Sequence, residues 1–271
     1  MSKLIKELEQ KARNVRAHVL RMSCVAKAPH VASSLSCVDM LTAIYFHAAR
    51  LDPVAPDDPR RDRVILSKGH ASAALYACLA ERGFFDPALL ETYCADGAKL
   101  AEHPSFGVLP GVEATTGSLG HGLGLGVGMA MGAKAQAATW RVFVVLSDGE
   151  CNEGSIWEAA MWAPRHGLRH LTAIVDFNKF QATGRSTQIT QLEPLADKWR
   201  AFGWDVLEID GHDYPQLLAA LELPTIDRPR AVVAHTVKGK GVSFMQDDLE
   251  WHYRPPSAAD LARALEELAK S

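Results

Sequence analysis

The 271-residue chain is 48% hydrophobic and 23% charged, with a formal net charge of −3. That balance supplies a full apolar core and a solvated surface, and it lacks the basic field that nucleic acid or an anionic membrane would require. The five cysteines, at 24, 37, 78, 94 and 151, form no Cys-x-x-Cys pair and no zinc-type spacing. Their odd number and helical neighbours predict reduced, mostly buried thiols and a cytoplasmic setting.

In chain order, Met1 to Arg16 is highly charged and has no apolar core of a signal peptide. Ser36-x-x-Asp39 caps an expected helix with Val38, Leu41, Ile44 and Tyr45 turned inward. The Ala-Pro-rich stretch from Asp52 to Pro59 reads as a surface loop, and Asp86-Pro87 opens a further helix that stops at Gly97. From Gly117 to Ala138 the chain is apolar and carries seven glycines, of which Gly120, Gly124, Gly128 and Gly132 recur every four residues. Such stripes are familiar from membrane helices, but His121 lies inside this one and no comparable segment exists elsewhere. The glycines do not fit Gly-x-Gly-x-x-Gly, and no strand leads directly into them, so a dinucleotide site is excluded. The expectation is a buried helix pressed tightly against another backbone.

The run Val142 to Leu146 is continuously apolar, as a buried parallel strand is. It ends in the turn Ser147-Asp148-Gly149-Glu150. Gly154 to about His166 reads as a helix, and Leu171 to Val175 as a second strand ending at Asn178. Val206 to Ile209 and Ala231 to Ala234 read as further strands. Ser257-Ala258-Ala259-Asp260 forms a capping box for a terminal helix with Leu261, Leu265 and Leu268 along one face. Without linker or repeat, this alternation predicts an α/β fold: a doubly wound parallel sheet with helices on both faces, one domain over residues 1–271.

Asp148 and Asn178 therefore fall at the carboxyl ends of consecutive strands, where open α/β sheets bind ligands. Mg²⁺ takes hard oxygen ligands and commonly joins one or two protein groups to substrate phosphates. The pair points to a Mg²⁺-diphosphate site. A surface Asp-Gly turn followed by an unrelated Asn is the alternative.

These residues resemble the thiamine diphosphate signature, an acidic-glycine turn followed about thirty residues later by Asn, with Ser147 in place of its first Gly. Further motifs resemble the amino-terminal half of the transketolase family. Asp62 to Ser72, containing Ser67-Lys68-Gly69-His70, looks like the family's strand ending in Ser-Lys-Gly-His. Glu102-His103-Pro104 looks like its Gly-His-Pro with the Gly replaced. Thr116-Gly117-Ser118-Leu119-Gly120, Pro194 to Trp199, Asp210 to Asp213 and Thr236 to Gly241 match in the same order. Full-length members add a pyrimidine-binding domain and a carboxyl-terminal domain, and the chain ends where the second would begin. The resemblance thus implies the first subunit of a split transketolase.

The same resemblance implies the composition of the site. Thiamine diphosphate and Mg are the cofactors, with Asp148, Asn178 and the backbone carbonyl of Phe180 on the metal. His70, Gly117, Ser118, Leu119, Asp148, Gly149, Glu150, Asn178 and His252 bind the cofactor. His30, His70, His103 and His252 are catalytic: His70 beside the diphosphate, His103 near the donor's carbonyl end, His30 near the reacting carbon. The family's Gly-His-x-Gly-Gly-Ser-Leu-Ser is Pro29 to Ser36 here, with its three glycines lost. Tyr253 stands where Gly usually follows His252, and His121 replaces a usual Gln. Glu153 and Glu158 match a carboxylate network across the interface with the partner. The glutamate that generates the ylid comes from the other domain, so a carboxyl-terminal subunit in an α2β2 assembly is expected, with sugar or sugar-phosphate substrates. A different thiamine diphosphate enzyme and a non-catalytic cofactor-binding module are the competing readings.

Overall fold

The computed structural model describes residues 1–222 and 227–270. Five strands, β1 (Arg63–Leu66), β2 (Val142–Ser147), β3 (Leu171–Phe177), β4 (Asp205–Asp210) and β5 (Arg230–His235), form one parallel sheet in the order β1-β2-β3-β5-β4. A strand without polar residues must be covered on both faces. Along β2, Phe143 and Val145 enter one core, while Val142, Val144 and Leu146 enter the other.

The first core lies under α1 (Ser2–Ala26), α2 (Val31–Ser36), α3 (Val38–Ala43), α4 (Ser72–Arg82), α9 (Tyr214–Glu222) and α10 (Ala258–Lys270). The second lies under α5 (His121–Ala135), α6 (Gly154–Arg165) and α8 (Leu195–Ala201). A short helix, α7 (Ser186–Ile189), sits in the loop after β3. The chain leaves β3 through α8 on one face and returns from edge strand β4 to β5 through α9 on the other. Reversing direction along a sheet with right-handed crossovers requires that change of face. This is the expected doubly wound α/β fold.

Several local expectations are corrected. The charged amino terminus, to which the sequence pattern assigned no element, is the 25-residue helix α1. Its buried Leu8, Ala12, Val15 and Val19 recur every three to four residues and pack against α4. Ser36 is no helix cap: it ends α2 and donates to Ser33 O and to the Asp176 carboxylate, while Asp39 pairs with Arg16. Val38, Leu41, Ile44 and Tyr45 are nevertheless buried. Asp86 does cap, accepting from the Ala88 N–H at 2.9 Å, but the helix it opens is a 3₁₀ turn ending at Thr92 rather than Gly97. Tyr93 is extended, and the Cys94 N–H turns away to Leu100 O.

The glycine helix is corrected in its register. Gly122 and Gly126 face the sheet: a Cβ on Gly122 would collide with Ser67 Oγ, and one on Gly126 would come within 2.5 Å of Val144 Cγ2. A Cβ on Gly124, Gly128 or Gly132 would meet nothing within 4 Å, whereas one on Gly120 would strike Ser155 Oγ. The close approach to the sheet is therefore made by the glycines between the members of the four-residue stripe, and the stripe faces out beyond Gly120. Ser257 and Asp260 form the reciprocal capping box at 3.0 and 3.1 Å, and Leu268 is buried with Leu261 and Leu265 half-buried. All five cysteines are free, with Cys37, Cys78 and Cys151 buried. Among the described residues, no helix is long and apolar enough to cross a membrane.

Candidate functional site

The strands β1, β2, β3 and β5 all end on one edge of the sheet, and the turns that follow them enclose a cavity of about 330 Å³. Its lining includes His30, His70, His103, Gly117, Leu119, Gly149, Asn178, Phe180 and His252. Residues scattered over most of the chain are thus gathered because parallel strands deliver their carboxyl ends to one place.

Beneath the floor, Asp148 is wholly buried and does not itself line the cavity. Its carboxylate accepts from the N–H of Gly149 at 2.8 Å, the N–H of Lys179 at 2.9 Å and the Ser186 hydroxyl at 2.7 Å. All three are neutral donors, and no ion pair reaches Asp148 among the described residues. Burial therefore prevails and, helped by the nearby Asp176 charge, raises its pKa to about 7. Asn178 Oδ1 accepts from the Phe180 N–H at 3.0 Å, while its amide Nδ2 donates to Ser36 Oγ at 3.2 Å.

That amide orientation is set from behind. Asp176, also wholly buried, takes an ion pair from Lys68 at 2.5 Å and hydrogen bonds from the Ser36 and Thr236 hydroxyls. Breaking such a pair by removing one partner typically costs about 3–5 kcal/mol. Neither Lys68 nor Asp176 was assigned a role from the sequence, although Lys68 lies inside the Ser-Lys-Gly-His motif and Asp176 closes the second strand.

Glu150 does not line the cavity. Its buried carboxylate accepts from the Gly120 N–H at 2.9 Å, the Ser147 N–H at 3.3 Å and the Ser67 hydroxyl, knitting three turns together. Ser118 is exposed at the turn and likewise lies outside the lining. Gly117 has φ 126°, and a Cβ there would strike the His103 ring, so only glycine lets that ring stand where it does.

The wall is imidazole. Ring centroids of His30 lie 5.3 Å from His70 and 5.1 Å from His252, and His70 is 6.2 Å from His252. The His30 N–H donates to His252 O at 2.7 Å, joining two distant turns. Lys238 Nζ lies 2.7 Å from His252 Nδ1 and donates to it. Burial, then the neighbouring Lys238 charge, lowers His252 to about 3. Burial, then the Lys68 charge, lowers Lys238 to about 8. His70 is pushed well below the ordinary histidine range by burial, then by Lys68 and the other rings. These imidazoles are therefore neutral near pH 7.

Two residues behind the wall carry no predicted role. Glu102 reaches His30 Nδ1 at 3.1 Å. His212, which lies in the matched segment Asp210 to Asp213 but was given no role, accepts the Val237 N–H on Nε2 at 2.9 Å and holds Asp39 through Nδ1 at 2.7 Å, fixing the loop that carries Lys238. Tyr253 stands exposed at the rim, 5.6 Å from the His30 ring. Among the described residues, no group of three His, Cys, Asp or Glu forms a metal cage.

The family model described as "Transketolase, thiamine diphosphate binding domain" matches residues 9–269. The chain is 40% identical over 270 residues to an apulose-4-phosphate transketolase subunit of Phocaeicola vulgatus, covering 98% of this chain and 95% of that one. It is 40% identical over 248 residues to the 6-deoxy-6-sulfo-D-fructose transketolase subunit SqwG of a Clostridium species, covering 91% and 90%. The solved transketolase of Leishmania mexicana superposes with a TM-score of 0.92 at 28% identity, over 97% of this chain and 41% of that one.

Proposed function

The chain belongs to the transketolase family and carries its thiamine diphosphate-binding domain, and we propose that it is the amino-terminal subunit of a two-chain transketolase. It moves a two-carbon ketol group from a ketose or ketose-phosphate donor to an aldose acceptor. The observation that carries this reading is the convergence of Asn178 and four histidines on one cavity at the strand ends, with the Asp148 carboxylate buried directly behind Gly149 of its lining. The near-complete coverage of a relative that is itself named as one subunit of a transketolase, 95% of its length, supports the split. In this reading residues 1–271 are a single domain, and its five free thiols fit a reducing, cytoplasmic setting.

The donor set fits the cofactor. Asp148, Asn178 and the carbonyl of Phe180 would offer Mg²⁺ three hard oxygens, the donor type it takes beside a diphosphate. A buried carboxylate whose partners are all neutral gains most from a cation. Gly149 gives the backbone room beside the diphosphate, and Gly117 and Leu119 offer main-chain groups to the aminopyrimidine. Buried Lys238, which no ion pair neutralises among the described residues, biases this end of the cavity toward an anion. When bound, thiamine diphosphate supplies a carbon nucleophile and an electron sink for carbon–carbon cleavage.

The protein's own part is orientation and proton transfer. With Nδ1 occupied by Lys238, neutral His252 carries its proton on Nε2 and can give it to a substrate oxygen. His103, His70 and His30 supply further donors and acceptors around the sugar hydroxyls. The names of the relatives, together with the His30 loop that lacks the family's glycines, support a donor outside central pentose metabolism.

The ylid-forming glutamate belongs to the pyrimidine domain, so the chain needs a partner. Leu125, Met131, Met161 and Trp162 are between 37% and 59% exposed on α5 and α6, beside the outward glycine stripe. A second subunit covering this apolar face and approaching Glu153 and Glu158 accounts for the exposure, in an α2β2 assembly. The test is a rate assay on the purified chain with cofactors and a ketose–aldose pair. No turnover is expected alone, and full turnover on titration with the pyrimidine-domain subunit, saturating at equal molar amounts. Sustained turnover by the single chain overturns the reading.

A further inference from the structure

His30 has an unusual setting. It is a non-glycine residue at φ 66°, in the left-handed region, pinned by its N–H to His252 O and by the Ser34 N–H to its own carbonyl. Its ring meets His70, His252 and Tyr253 on the cavity side. Its Nδ1 lies 3.1 Å from a Glu102 carboxylate oxygen, and the Glu102 carbonyl is itself held by the Ser72 hydroxyl. The matching family motif has Gly at position 102, so the carboxylate is supplied by this chain and not by the general pattern.

We propose that Glu102 is a positioning residue, which holds His30 in the Nδ1–H form and leaves Nε2 as the proton acceptor in the cavity. An ionised carboxylate only accepts hydrogen bonds, so the shared proton must sit on Nδ1. A neutral imidazole carries one ring proton, and the partner of one nitrogen decides the state of the other. This proposal rests on the reading of the cavity as a ketol-transfer site. There Nε2 takes the proton of a sugar hydroxyl: the O–H bond breaks, the N–H bond forms, and the imidazolium is compensated by Glu102 without any change of oxidation state.

The charges facing His30 pull in both directions. Burial lowers its proton affinity most, His103 and Lys238 lower it further, and only Glu102 raises it. His70 and His252 are neutral neighbours near pH 7, and Tyr253 borders the ring without a carboxylate. Without Glu102, nothing opposes the loss of His30 as a base at neutral pH.

The test uses the full chain with ¹⁵N-labelled histidine, His30 being assigned against a His30→Gln variant. Ring nitrogen shifts should report Nδ1–H in the wild type. Glu102→Gln keeps an accepting oxygen but no charge, so the tautomer should persist while the His30 titration moves down by at least about half a pH unit. Glu102→Ala should lose both. In the assembled enzyme, Glu102→Gln should lower donor kcat/KM about tenfold at neutral pH, leave cofactor affinity unchanged, and move the acid limb of the profile; Glu102→Asp should restore part. An unchanged tautomer and titration in Glu102→Ala overturns the proposal. The expected ring shifts together with no ketol transfer by any assembled enzyme uphold Glu102's hold on His30 and overturn the proposed function instead.

Discussion

The floor and the wall of the cavity are built by different physics. On the floor and just beneath it, Asn178, Asp148 and Glu150 are fixed by backbone N–H groups and buried hydroxyls from turns that adjacent strands place side by side. On the wall, His30, His70 and His252 hold one another through ring contacts and a few bonds between distant loops. The floor matches its family motif almost residue for residue, whereas the wall carries Glu102, Tyr253 and the altered loop at His30. The difference teaches that turns carried directly on strand ends keep to the motif, whereas the departures from it lie in loops, which tolerate change.

The sharpest break of this comparison removes the floor's charge. Asp148→Asn keeps the size of the side chain and should lower Mg²⁺-dependent thiamine diphosphate affinity at least about 100-fold, with the far-ultraviolet dichroism unchanged. Calorimetry on the assembled enzyme measures it, and unchanged affinity removes Asp148 from the metal site.

Next comes the wall. His103→Ala should reduce donor kcat/KM about 100-fold while cofactor affinity stays within about threefold of wild type. His70→Ala, on the border of the two regions, should damage both. Donor kinetics at saturating cofactor read the contrast. If His103→Ala loses cofactor and keeps its donor kinetics, the division between floor and wall fails.

The smallest effect is on stability in acid. His252 falls from 6.5 to about 3 in the folded chain. On unfolding it regains an ordinary affinity, so between those limits the unfolded state binds the extra proton. Stability is thus lost as pH falls from 6.5 toward 3, by up to about 1.4 kcal/mol per pH unit for each such histidine. Urea midpoints between pH 7 and pH 5 should fall, and His252→Gln should flatten that slope by up to one proton. A slope that the variant leaves unchanged assigns the acid sensitivity to another group.

The sequence by itself determined the sheet and the floor, because both rest on local signals. A continuous apolar run such as Val142 to Leu146 has only a doubly covered strand open to it, and a polar turn after it lands at the ligand-binding edge whatever the rest of the chain does. The motifs around His70, His103, Gly117 and His252 likewise named cavity residues before any contact was known. Other features needed three dimensions. The register of the glycine helix depended on Ser67 and Val144 across the core, whereas the stripe of α1, Leu8, Ala12, Val15 and Val19, stood in the sequence at helical spacing but thinly, among many charges. Ser36 gave up its cap for Asp176, far along the chain. The Lys68–Asp176 pair and the Glu102–His30 contact join residues 108 and 72 positions apart. Charge pairing over such separations is set by which loops the folded sheet brings together, a choice that neither residue's own neighbourhood records.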